Sequence, residues 1–144
     1  MQAFPHIYSV SAAAGASSNV SLDSEGLPSL AAAPPAEFDG PGDIWSPETL
    51  LMAAVASCMV LSFKAIARAS KFDWHAIDVR SEGTLDREDR ITRFTRVVNH
   101  VTLDVPTGTD ADKAEKLLHK AEGACLISNS LNAEVVLDCR VTMS

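Results

Sequence analysis

The chain has 144 residues, the size of a single hydrophobic core, and is read as one domain over 1–144. With 47% apolar and 22% charged residues it has the composition of an ordinary soluble globular protein. A net charge of −7 argues against nucleic acid and against an anionic membrane surface, both of which select Lys/Arg-rich faces.

The opening MQAFPHIYSVSAAAGASS has no basic start and no continuous apolar run, so a secretory signal is not expected. Residues 4–32 alternate loosely, at Phe4, His6, Tyr8 and Val10, then at Val20, Leu22, Leu27 and Leu30. Breaks at Gly15–Asn19 and Asp23–Gly26 predict two or three short antiparallel strands joined by turns. The Pro- and Gly-rich stretch AAPPAEFDGPGDIW (32–45) predicts an irregular surface loop.

SPETLLMAAVASCMVLSFKAIARAS (46–70) then reads as a long helix. Ser46 suits the N-cap, Pro47 the first helical position, Glu48 the positive end of the dipole and Arg68 and Lys71 the negative end. The apolar run Leu50–Phe63 falls short of the ~20 residues that a membrane span needs, and Glu48, Lys64 and Arg68 close it off. A buried core helix is expected. Being apolar on nearly every side, it must be covered on every side, by its own sheet and by something else.

Two long strands follow. Ile77, Val79 and Leu85 mark one face of 74–85, and Val97, Val101, Leu103 and Val105 mark 91–105, with the charged tip Asp86–Arg90 between them. Asp110 opens a second helix, amphipathic at Ala111, Ala114, Leu117, Leu118 and Ala121. Gly123 is expected to break it before a short helical piece, CLISNSL (125–131). The end is a cleanly alternating strand through Val135, Leu137, Cys139, Val141 and Met143.

Three cysteines, Cys58, Cys125 and Cys139, are too few for a secreted disulfide scaffold, and their wide spacing fits no zinc motif. No metal or bound cofactor is expected, and a reducing, cytoplasmic setting is the default. Cys139 sits among inward aliphatic residues, where a free cysteine packs as a small hydrophobe. Cys58 lies mid-helix in apolar surroundings that raise a thiol pKa, and burial alone would account for it. Cys125 heads the short helical piece, a position that favours thiolate. Glu48 stands ten residues before Cys58, ~15 Å along one helix axis, so the two can meet only across a second, antiparallel copy of the helix. His75, His100 and His119 have no spacing that suggests a metal site or a triad, and no P-loop, GxGxxG or GxSxG motif is present.

The motif S-P-E-T-L-L-M-A-A-V-A-S-C-M (46–59), followed by A-C-L-I-S-N-S-L (124–131), resembles the OsmC/Ohr family, and the likeness in element order runs the length of the chain. The resemblance implies an α+β, OsmC-like fold: antiparallel sheets packed around a long buried central helix in an intertwined homodimer. It implies reduction of small organic hydroperoxides, with Cys58 as the peroxidatic thiol, Cys125 as the resolving thiol, and recycling by an external dithiol such as dihydrolipoamide. Glu48 matches the glutamate that orients an arginine toward the reactive sulfur. Thiolate attack on peroxide gives a sulfenic acid that a neighbouring thiol condenses to a disulfide, and a dry apolar pocket selects organic peroxides.

Two positions depart from the family pattern. No Arg or Lys precedes Lys64, so the activating arginine of the N-terminal strands is missing, and Leu126 stands where a proline usually follows the second cysteine. Arg80, Arg93 or Arg96 of the hairpin could substitute from a partner subunit. A second function therefore stands beside the first: an OsmC-like protein without peroxidase activity, binding a small apolar ligand in the same pocket.

Overall fold

A computed structural model describes residues 1–144, which divide into two compact units, 1–50 and 51–144. In the first unit β1 (Ser11–Ala13), β2 (Val20–Asp23) and β3 (Leu30–Ala32) form an antiparallel sheet in sequence order. The strands are shorter than the alternation suggested. Phe4, Ile7, Tyr8 and Val10 lie outside any strand and are exposed. The cause is register: Ser11 already faces Asp23, the last residue of β2, and the chain then turns through Ser24–Leu27. Beyond that register β2 offers no strand to the residues before Ser11.

The loop over 32–45 is irregular as expected, with a short 3-10 turn at Ala36–Phe38. Ala33 donates its N–H to the Trp45 carbonyl at 2.9 Å, which brings the far end of the loop back to β3. A β-carbon on Gly40 would lie 1.7 Å from the Pro34 carbonyl oxygen, so only glycine fits this close approach.

Helix α1 spans Pro47–Ala69. Its start is a reciprocal cap: the Thr49 N–H donates to Ser46 Oγ at 3.1 Å, and the Ser46 N–H donates to Thr49 Oγ1 at 2.9 Å. Its end is a left-handed Lys71 (φ 51°), with the Phe72 N–H returning to the Ala67 carbonyl at 2.9 Å. At 23 residues α1 has the length and composition to cross a membrane, more than the run Leu50–Phe63 indicated. Its buried stripe Val55, Met59, Phe63 and Ala67, at helical spacing, identifies it as a core helix. Within one chain only that stripe is buried, and Leu61 is 63% exposed, so the expected cover on every side is partial.

The rest of the second unit is a three-stranded sheet in the order β4 (Ala76–Glu88), β5 (Ile91–Val105), β6 (Glu134–Met143). β4 runs further toward the turn than expected, while β5 keeps its expected bounds. The hairpin turns in two residues, Asp89 and Arg90, both at positive φ as a primed turn demands. Between β5 and β6 the chain runs through α2 (Ala111–Ala124) and the short α3 (Leu126–Asn129). That crossover returns it to the same end of the sheet, so β6 pairs parallel to β5, and the sheet is mixed where antiparallel pairing was expected. Asp110 caps α2, accepting from the N–H groups of Asp112 and Lys113. Gly123 does not break α2. It sits inside the last turn, and the break comes at Cys125, whose extended backbone ends α2 and begins α3.

Met59, Phe63 and Ala67 of α1, Val101, Leu103 and Val105 of β5, and Ala114, Leu117, Leu118 and Ala121 of α2 share one core. The Phe63 and Trp74 rings meet edge to face within it, centroids 5.5 Å apart.

Candidate functional site

The second unit brings Cys58 and Cys125 together. Cys58 is half-buried at the middle of α1, and Cys125 is fully buried at the α2–α3 junction. Both are free thiols. Burial pushes the Cys58 thiol up, but the Ile127 backbone N–H, the Cys125 thiol, the Ser62 hydroxyl and the Leu126 backbone N–H outweigh it and hold the group below the ordinary thiol range. Ser62 stands one helical turn beyond Cys58, its Oγ 3.9 Å from the sulfur.

Cys125 behaves oppositely. Burial raises its pKa, the Ser128 hydroxyl and N–H offset part of that, and the neighbouring Cys58 sulfur adds to the rise. Ser128 Oγ donates to Cys125 Sγ at 3.3 Å. The start of α3 therefore favours thiolate at Cys58 and not, as the sequence suggested, at Cys125. The N–H groups just after Cys125 are those that α3 leaves without helical partners, and they reach across to α1.

Cys139 on β6 has its pKa raised by burial and by the carboxylates of Glu115 and Asp138, so of the three cysteines only Cys58 is shifted downward. Glu48 lies in the first turn of α1, in the first unit, and is not among the groups acting on either sulfur. It lines an apolar recess of about 470 Å³ with Ala12, Val20, Leu22, Ala33 and Phe38. The groups that lower the Cys58 pKa, Ile127, Cys125, Ser62 and Leu126, supply hydrogen bonds and no basic side chain. Arg80 pairs with Glu82 and Arg93 with Glu88, each at 3.1 Å, and Arg96 is exposed.

Residues 40–140 match the family described as OsmC-like protein. The chain belongs to that family. The OsmC-like chain is 25% identical over 112 residues to the uncharacterized protein YmaD of Bacillus subtilis, covering 76% of this chain and 75% of YmaD. It is 30% identical over 93 residues to peroxiredoxin OsmC of Escherichia coli, covering 65% of this chain and 64% of that protein. Among solved structures, an OsmC-like protein of unknown function from Vibrio cholerae superposes with a TM-score of 0.84 at 20% identity, covering 94% of this chain and 100% of that one. An organic hydroperoxide resistance protein OsmC from Legionella pneumophila superposes with a TM-score of 0.75 at 27% identity, over 96% and 99%. The OsmC-like fold expected from the sequence is thus present.

In this OsmC-like chain the sequence reading missed Ser62, Ser128 and the two amides of α3. Ser62 had a signal in its spacing of four from Cys58 on one helix. Ser128 had one in the run Cys-Leu-Ile-Ser at the start of a helix. Backbone N–H groups have none.

Proposed function

We propose that the protein is a thiol peroxidase that reduces organic hydroperoxides. Cys58 attacks, Cys125 resolves, and an external dithiol such as dihydrolipoamide restores the pair. The observation that carries this reading is that Cys58 alone of the three cysteines is held toward thiolate, with a second thiol beside it. The family supports a peroxide-resistance or redox role, and one relative bears the name peroxiredoxin. The charge that a missing arginine would supply to the thiolate is replaced, in this reading, by peptide N–H groups, so Glu48 has no arginine to orient.

The working unit is a homodimer, in which a second copy covers the α1 surface around Leu61 that one chain leaves open. Free thiols throughout fit a cytoplasmic setting. The apolar recess around Glu48 favours a second reading, a binding protein for a small apolar ligand without peroxidase activity.

Turnover of cumene hydroperoxide with dihydrolipoamide separates the two. The peroxidase reading expects a Cys58–Cys125 disulfide on non-reducing peptide mapping, loss of turnover in Cys58→Ser, and unchanged turnover in Cys139→Ser. Thiols that stay free at equimolar peroxide leave the binding reading.

A further inference from the structure

Ser128 is one of three buried polar residues, with Ser46 and Asn99, and the chemistry above makes no use of it. It follows Cys125 by one turn on α3 and is 6% exposed. The hydroxyl of a residue so little exposed gains most from a hydrogen-bond partner, and the acceptor here is Cys125 Sγ at 3.3 Å. The geometry points to Ser128 as the positioning residue of the second, disulfide-forming step: its hydroxyl holds Cys125 Sγ in place and stabilises the Cys125 anion once Cys58 has been oxidised. This rests on the peroxidase reading.

The order of events explains why such a residue is needed. While Cys58 is a thiolate, its charge and burial together keep Cys125 protonated. The Cys58 sulfur then attacks the terminal peroxide oxygen. The O–O bond breaks, two electrons pass from sulfur to the peroxide, and the alkoxide leaves and takes a proton to become the alcohol. Cys58 is now a neutral sulfenic acid, and the charge that opposed ionisation of Cys125 has gone. What remains at Cys125 is burial, which still opposes ionisation, and against it the Ser128 hydroxyl and N–H, both of which favour thiolate. Cys125 gives up its proton and attacks the Cys58 sulfur. The S–S bond forms, the S–O bond breaks, and hydroxide leaves as water after taking up a proton. A slow second step leaves the sulfenic acid open to another peroxide molecule and to conversion into sulfinic acid.

The test compares the full-length protein with Ser128→Ala and Ser128→Thr, each checked for native circular dichroism and exposed to equimolar and then excess cumene hydroperoxide. Dimedone trapping, thiol mapping and intact mass follow sulfenic acid, disulfide and sulfinic acid. In Ser128→Ala the disulfide is expected to form about tenfold more slowly, as befits one hydrogen bond to a developing charge, with Cys58 sulfinic acid accumulating at excess peroxide. Ser128→Thr, which keeps the hydroxyl, is expected to restore the wild-type partition. Wild-type disulfide rates in Ser128→Ala overturn the role of Ser128 and leave the peroxidase reading standing. Equal impairment of both variants reduces Ser128 to packing and overturns the inference too. Absence of both sulfenic acid and disulfide in the wild type overturns the peroxidase reading itself.

Discussion

Gly83 on β4 lies directly against Met52 on α1: a β-carbon on the glycine would sit 2.7 Å from Met52 Sδ. The same atom would lie 2.8 Å from the Phe94 ring. The Met52 side chain and the Phe94 ring fill the space that a side chain at position 83 would take. Gly83→Ala should therefore lower unfolding stability by about 1–3 kcal/mol, the usual range for forcing a methyl into filled space. Urea denaturation measures it. Adding Met52→Ala should recover only part of the loss, because the thioether can yield and the Phe94 ring, anchored on β5, yields less.

The acidity of Cys58 has a definite sign. Burial opposes ionisation, and the Ile127 N–H, Cys125, Ser62 and the Leu126 N–H more than reverse that, so the group loses its proton below the pH of an ordinary thiol. Iodoacetamide should modify Cys58 with a midpoint below that of Cys139, whose pKa is raised. In Cys125→Ala one of the donors to the thiolate is gone, and the Cys58 midpoint should move up. Mass spectrometry of the alkylated peptides across a pH series reads both.

Asp104 near the end of β5 accepts from Ser144 Oγ at 2.6 Å and from Thr142 Oγ1 at 2.8 Å, and His75 Nδ1 lies 3.2 Å away. The Ser144 and Thr142 hydroxyls outweigh burial and, with His75, depress its pKa. A depressed carboxyl stabilises the fold above its unfolded pKa and loses that contribution as pH falls through the folded value. The stability gap between wild type and Asp104→Asn should thus be widest near neutrality and close below about pH 4. Thermal melts over that range give the gap directly.

What was legible in the sequence were features that side chains write locally. Ser46 and Pro47 set the start of α1, and the alternation from Val135 to Met143 marked β6 within a residue of its observed bounds. Phe4 to Val10 carried the same alternation and formed no strand, because strand formation needs a partner and β2 ends at Asp23. Gly123 looked like a helix breaker, yet the last turn of α2 accommodates it, since a single glycine costs only ~1 kcal/mol there. The pairing of positions 58 and 125 came from resemblance alone, as periodicity says nothing about which helix end meets which helix middle. The main part of the Cys58 tuning could not be read: its largest favourable contribution comes from the Ile127 peptide group, whose side chain is incidental.

That last feature makes the tuning tolerant of drift. A peptide group keeps its donor through almost every substitution, so the residues after Cys125 can vary in size and polarity while the sulfur keeps its support. The exception is an imino acid, which has no hydrogen to give. Leu126, at the position where the resemblance implies proline, contributes an amide hydrogen that proline could not give.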